Sequence, residues 1–274
     1  MRIGDDRDGR AALRHDVLTE ARRVMRPPRE VLICVAANGV LVSVLWFFSP
    51  VRLFDAIFTL HQAFMFPVVM ASWMIADVPS TNELAPDATR VLALLEDDDV
   101  VGLERLLRAK HLVLWVVVTP IVLVVAAIMG ATSHHWLTMW LTMVWVATVP
   151  FAALGISCMI GVWWPYHPIP LAERWEERSN WRHMLLRWGT LCILPYAVVP
   201  LFGLVALLPL IATLAILKVR LSDSSATLVA LIIGCAVALP LAFVVWDRGT
   251  RMAAKFAVKR RDALAAYLGD PALG

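Results

Sequence analysis

Long apolar blocks, separated by short charged segments, fill most of this chain. Each block reaches the length of roughly 20 residues that an α-helix needs to cross the hydrocarbon core of a bilayer. We therefore predict an all-α membrane protein with six transmembrane helices within residues 31–247. The six blocks are residues 31–49, 54–76, 111–131, 136–164, 188–217 and 224–246.

The fifth block differs from the others because it contains Pro195, Pro200 and Pro209 and is long for a single span. Proline removes a helical hydrogen bond and bends or ends a helix. Broken helices persist at membrane depth only where protein packs around them or where they line a cavity. We expect a fifth span followed by a bent or re-entrant segment.

The first 30 residues are strongly charged and lack the hydrophobic stretch of a signal peptide. Between residues 10 and 26, apolar residues recur at helical spacing and arginines fill the other faces. This pattern predicts an interfacial amphipathic helix that lies among the lipid headgroups. Pro27 and Pro28 then end the helix and let the chain turn into the bilayer.

Positive charge indicates the orientation of the spans. The segments rich in arginine and lysine are residues 1–30, 77–110, 165–187 and 248–274. The loops on the other side offer only Arg52, Lys218 and Arg220. By the positive-inside rule, both termini and the basic tail 248–274 are expected in the cytoplasm of a multi-pass protein of the plasma or inner membrane.

Composition agrees with a membrane protein and argues against several other classes. The chain is 60% hydrophobic and 17% charged, whereas soluble domains are about half apolar and a quarter charged. A net charge of +3 does not suggest nucleic acid. The cysteines lie inside apolar blocks, far apart in sequence, and are expected to act as small hydrophobic side chains. They are Cys34, Cys158, Cys192 and Cys235.

Catalytic and nucleotide-binding motifs are missing from the sequence: there is no HExxH, no GxSxG and no Walker A loop. His134 and His135 are adjacent in a predicted turn without a nearby acid or thiol, so zinc is not expected there. We therefore predict no catalytic residue, no cofactor and no metal in this chain.

Polar residues inside the predicted spans are few, and they are Asn38, Asp55, His61 and Gln62. Such groups are costly in hydrocarbon and usually face the bundle interior or a cavity. Asn38, His61 and Gln62 are therefore candidates for a translocation path or a subunit seam. The alternatives are an interhelical hydrogen bond or, for Asp55, a side chain that reaches the headgroups.

The segment 77–110, between spans two and three, contains two apolar patches at residues 91–95 and 100–107. The acidic run 96–99 separates them, which predicts two short amphipathic helices joined by a charged tip. A short helix joined rigidly to two spans can transmit motion to a soluble partner, and a solvated loop is the alternative.

This segment resembles the intracellular loop of the membrane subunit of type-two ABC exporters. The residues that carry the resemblance are Asn82, Asp87, the run 91–95, the acidic turn 97–99, Leu106, Leu107 and Lys110. The family often has Pro-Ser or Pro-Val at the turn, where this chain has acids. GISCMIGVWWPY, which ends near Pro165, is similar to a family stretch that closes the fourth span.

The resemblance implies two membrane subunits, identical or sister chains, each seated on a separate cytoplasmic P-loop ATPase that binds ATP and Mg. A coupling helix around residues 88–108 would dock in a groove of that ATPase and link ATP binding to export. The coupling residues implied by the resemblance are Leu95, Asp97, Asp98, Leu103, Glu104 and Leu107.

Other functions stay open on the sequence. A membrane scaffold without transport would use the same loop to recruit a cytoplasmic protein, and it would lack ATP-dependent flux. A membrane-embedded enzyme acting on lipids would need polar groups clustered at one depth, which only Asp55, His61 and Gln62 approach.

Overall fold

The computed structural model describes residues 3–48, 66–75, 83–132, 134, 136–163, 165 and 224–270. Within these ranges the chain is helical and contains no strand, which confirms the predicted all-α class for them. The helices are α1 (Ile3–Met25), α2 (Glu30–Phe48), α3 (Phe66–Ile75), α4 (Ala88–Glu96), α5 (Val100–Thr132), α6 (Trp136–Trp163), α7 (Ser224–Lys259) and α8 (Arg261–Gly269).

Two of these helices, α5 and α6, are long and apolar enough to cross a membrane. The pair α1 and α2, bent by 73° at the break between them, passes the same test together as a broken span or a re-entrant loop, and α2 is its apolar part. The chain is thus suited to membrane association. The count of six spans stays a prediction, and the fifth block lies outside the described residues.

Prolines within the apolar blocks do not break the described helices. Pro120, Pro150 and Pro240 each lie inside a continuous helix, namely α5, α6 and α7. Prolines are tolerated in this way in membrane helices because neighbouring helices and local adjustments satisfy the freed carbonyl groups.

Helices α6 and α7 cross in close contact at two glycines. A Cβ atom on Gly155 would lie 2.7 Å from Cα of Trp246, and a Cβ on Gly249 would collide with the backbone of Gly155. Small residues at a crossing let two helix backbones approach, which is a common way to pack helices in a bilayer.

Buried side chains form two hydrophobic clusters, one above the other along α5. The first, which we call the span core, joins α2, α3, α5 and α6 through residues such as Val35, Ile75, Val118 and Leu154. The second, the basal core, joins α4, the first turns of α5, the end of α7 and α8. Its members include Val91, Leu95, Leu103, Leu107, Ala254, Leu264 and Leu268.

The segment 248–274, expected to be a basic tail, is helical through Gly269 and packs against the rest of the chain. Leu264 and Leu268 on α8 are buried in the basal core. Arg260 donates a hydrogen bond of 2.8 Å to the carbonyl oxygen of Trp163 and so caps the end of α6.

Candidate functional site

The acidic turn between α4 and α5 is the tip of a helical hairpin, which we call the acidic hairpin (residues 88–110). Asp99 accepts a hydrogen bond of 2.8 Å from the backbone N–H of Gly102 and thus caps the first turn of α5. Asp98 has a positive φ of 52°. Its two carboxylate oxygens accept hydrogen bonds of 2.6 and 2.7 Å from one nitrogen of Arg261. Glu96 and Asp97 are exposed at the tip.

The leucines expected to dock a partner do not face outward. Leu95, Leu103 and Leu107 are at most 1% exposed and lie in the basal core. Their apolar partners are α8 and the end of α7, elements of this same chain. In this structure α8 covers the face that was expected to meet a partner. The coupling role of these three leucines stays a prediction, and it would require α8 to move away or the leucines to act through the packing of the hairpin.

Glu104, another expected coupling residue, belongs to an ion-pair network along α5 and α7. It pairs with Arg108 at 2.5 Å and with Arg251 at 3.6 Å. Arg108 also binds Asp247 and lies over the ring of Trp246, 5.4 Å from its centroid. These contacts tie the first half of α5 to α7.

Helix α1 is braced against the acidic hairpin by a buried carboxylate. Asp16 accepts hydrogen bonds from Arg90 at 2.6 Å and from Arg105 at 2.9 Å. Burial alone would raise the pKa of Asp16, but the two guanidinium groups outweigh it and hold the pKa below its usual value. One acid on α1 thus bridges α4 and α5.

Two residues of the resemblance motif, Asp87 and Lys110, contact each other directly. Lys110 is buried and also lies 3.9 Å from Glu20 of α1. Burial would raise the pKa of Asp87, but Lys110 and then Arg23 outweigh it, so the pKa lies below its usual value. This pairing closes the base of the acidic hairpin onto α1.

A buried polar cluster separates the basal core from the span core. His111 follows Leu107 of the basal core by one turn of α5 and precedes Leu114 of the span core by another. Its Nε2 lies 2.5 Å from Oε1 of Glu83. Cys158 of α6 completes the group, in which one ligand atom from each residue lies within 4.8 Å of the others.

Carboxylate, imidazole and thiolate are familiar zinc ligands, but the environment of His111 disfavours a metal. Trp246 donates a hydrogen bond of 2.9 Å from Nε1 to Nδ1 of His111. Because an indole can only donate, Nδ1 must be the acceptor, and the neutral ring carries its proton on Nε2. A metal-binding histidine has the opposite arrangement, since it donates from the nitrogen that faces away from the metal.

The cluster is therefore best described as a polar contact that joins four segments. Trp246 of α7 bonds His111 of α5, and His111 faces Glu83 and Cys158. Nε2 of His111 and Oε1 of Glu83 are close, but both oxygens of Glu83 and Nε2 lack a partner in hydrogen-bonding geometry among the described residues. Sequence reasoning missed this cluster because its members are distant along the chain. The sequence signals were a histidine that opens the predicted third span and an acid in the loop before it.

The predicted translocation path is only partly within the described residues. Nδ2 of Asn38 is buried and has no hydrogen-bond partner among them. His61 and Gln62 lie outside the described ranges. Asn38 thus has the orphaned amide expected of a residue that faces an interior or a seam, and its role in a path stays a prediction.

Comparison with protein-family models, with curated proteins and with solved structures finds no match to this chain.

Proposed function

We propose that this chain is the transmembrane subunit of an ATP-driven exporter and couples to a separate cytoplasmic ATPase. The observation that carries the proposal is the continuity of α5. This helix runs unbroken for 33 residues, from the acidic turn into an apolar segment that can cross a membrane. At 1.5 Å per residue it is about 50 Å long, so a displacement of the tip is applied directly to a membrane helix.

The surface offered to the ATPase is acidic rather than leucine-rich. Glu96, Asp97 and Asp98 are exposed, and Val101 beside them is 71% exposed. A complementary groove on the ATPase would carry arginine or lysine around an apolar centre. The family often has Pro-Ser or Pro-Val at this turn, where this chain has acids, so we expect the interaction to weaken as salt is raised.

The braces around the acidic hairpin support its role as a rigid transmitter. Asp16 ties α1 to α4 and α5, Asp98 ties the turn to α8, and Glu104 ties α5 to α7. A hairpin held on three sides moves as one body with the ends of these helices. ATP and Mg would be bound by the partner ATPase, and a second membrane subunit would complete the path.

The test is co-purification of the tagged chain from its native membrane, followed by mass spectrometry. We expect a stoichiometric P-loop ATPase with the wild-type chain and its loss, by at least tenfold, with Asp97→Lys. Lys255→Glu is the matched control, because it also changes the net charge by two at an exposed position. Neither residue is buried, so both variants should fold, as size-exclusion chromatography would show.

A chain that purifies without any nucleotide-binding partner would contradict the proposal. A partner that is retained by wild type but supports no ATP-dependent flux in reconstituted vesicles would support the scaffold function instead.

A further inference from the structure

Charge is sorted by face over residues 11–26, which form the second part of α1 and the position that follows it. Between residues 11 and 26 the only acids are Asp16 and Glu20, and both are buried against the acidic hairpin. On the opposite side Arg14 and Arg22 are exposed, and Arg26, directly after the helix, is exposed as well. The helix therefore turns its negative charge inward and its positive charge outward.

The three outward arginines have no ion-pair or hydrogen-bond partner for their side chains within the ranges that the structure describes. By contrast, Arg23 on the flank of the helix binds Glu20 with an Nε–Oε2 distance of 2.8 Å. Outward arginines without carboxylates can bind an external anion without first losing an internal one.

Apolar side chains lie among these arginines. Leu18 is 48% exposed and Met25 is 62% exposed. At 100° per residue, Arg14, Leu18, Arg22 and Met25 fall within one narrow arc of the helix. An exposed stripe that mixes arginine with large apolar residues is typical of helices that lie in the membrane interface.

The angle between α1 and α2 bears on how this stripe is oriented to the membrane. The two helices are bent by 73° at the break between them. If α2 enters the bilayer along its normal, α1 lies nearly parallel to the membrane surface. Exposed apolar residues continue from Met25 to Ile33 and Val40 of α2, so the stripe on α1 is continuous with the surface that would face lipid.

We propose that the outward face of α1 binds anionic phospholipid headgroups of the leaflet in which the chain sits. Arg14, Arg22 and Arg26 bind the phosphates, while Leu18 and Met25 enter the acyl boundary. An acidic protein surface is the less suitable occupant because it would leave these two apolar side chains without an apolar environment. Arginines near a charged leaflet act nearly independently, so three of them should strengthen binding on the order of a hundredfold.

Lipid binding on the outer face of α1 would also affect the acidic hairpin, which contacts the inner face of the same helix. Asp16 lies on the inner face of α1, opposite the lipid-binding arginines, and it contacts Arg90 and Arg105. Binding of anionic lipid would hold α1 in place and thereby stabilise the base of the hairpin. The inference requires a membrane-inserted chain but not an ATPase, so the two proposals can fail separately.

The experiment uses the full-length chain in a neutral detergent, titrated with dioleoylphosphatidylglycerol or dioleoylphosphatidylcholine and followed by native mass spectrometry. We expect the wild-type chain to prefer the anionic lipid. The variant Arg14→Gln/Arg22→Gln/Arg26→Gln should lose that preference by about a hundredfold. Arg14→Lys/Arg22→Lys/Arg26→Lys should keep most of it, because charge rather than a single geometry supplies the attraction.

A matched control removes the same charge from α7 with Arg248→Gln/Lys255→Gln/Lys259→Gln, all at exposed positions. This control should keep the lipid preference. The proposal is overturned if wild type shows no preference, if the control loses as much as the α1 variant, or if the α1 variant keeps its lipid and loses a bound protein instead.

Discussion

Gly155 of α6 lies so close to Trp246 of α7 that a single added methyl group has no space. A Cβ atom on Gly155 would stand 2.7 Å from both Cα of Trp246 and the carbonyl oxygen of Val245. Both neighbours are backbone atoms, so neither can rotate away as a side chain could. The crossing of α6 and α7 is therefore fixed by the absence of a side chain.

The substitution Gly155→Ala should force the two helices apart and destabilise the chain by about 1–3 kcal/mol, the usual effect of overpacking. Thermal unfolding in detergent would measure the loss. Gly9→Ala is the control, because its Cβ would meet nothing within 4 Å and alanine favours helix. Equal melting temperatures for Gly155→Ala and wild type would mean that the crossing is looser than described.

Trp246→Phe keeps an aromatic ring beside Arg108 but removes the donor to Nδ1 of His111. An acceptor buried without its partner should lower the free energy of unfolding by about 1–3 kcal/mol. Trp140→Phe, on an exposed face of α6, is the matched control and should have little effect. A Trp246→Phe variant as stable as the control would argue against this hydrogen bond.

The proton assignment at His111 leads to a prediction about metals. Since Nδ1 accepts from Trp246, Nε2 has no lone pair to offer, and chelation by EDTA should leave the melting temperature unchanged. Elemental analysis of the purified chain would check the same point. Stoichiometric zinc that disappears in Cys158→Ser would show that Trp246 does not hold His111 in this form.

Asp16→Asn should weaken the attachment of α1 to the acidic hairpin, because Arg90 and Arg105 would lose their common carboxylate. We expect a loss of about 1–3 kcal/mol near neutral pH. Asp262→Asn, whose side chain is fully exposed, is the control.

The pH dependence of this effect has a definite sign. The pKa of Asp16 is lower in the folded chain than its usual value, so the contribution is present above that usual value. It is lost as pH falls through the folded pKa. The difference in melting temperature between wild type and Asp16→Asn should therefore be constant from neutral to mildly acidic pH and shrink below about pH 4. A difference that grows on acidification would contradict the assignment.

Leu103→Ala should destabilise the chain by about 2–5 kcal/mol, because Leu103 is fully buried in the basal core. Val101→Ala, two residues earlier and exposed, is the control for stability. If Leu103 instead met an external partner, its substitution would reduce partner binding without lowering the melting temperature, and the two measurements separate these cases.

The contrast between Leu103 and Asp97 shows what sequence could and could not predict. Helical periodicity predicted a helix on each side of the acidic turn, because local spacing of apolar residues determines amphipathic helices. It predicted a short second helix and a separate third span, whereas α5 runs unbroken through both. It could not reveal that α8 covers the leucines, since an apolar face has the same pattern whether it meets another chain or a distant part of its own.

The buried polar cluster and the charge distribution around α1 depend on long-range contacts, which the sequence pattern does not show. Glu83, His111 and Cys158 come from the segment before α4, from α5 and from α6, and only tertiary packing brings them together. The outward arginines of α1 were visible as an amphipathic pattern. The sequence did not show that these arginines lack carboxylate partners. That depends on Asp16 and Glu20, which contact the acidic hairpin instead.

The position of α8 in the basal core has a consequence for synthesis. Leu95, Leu103 and Leu107 are translated long before Leu264 and Leu268, which complete their burial. During synthesis the apolar face of the hairpin therefore stays uncovered until α8 has been made, because the contact joins residues distant in sequence. A stop codon ahead of α8 would release chains with that face exposed, and chaperones and proteases recognise such faces.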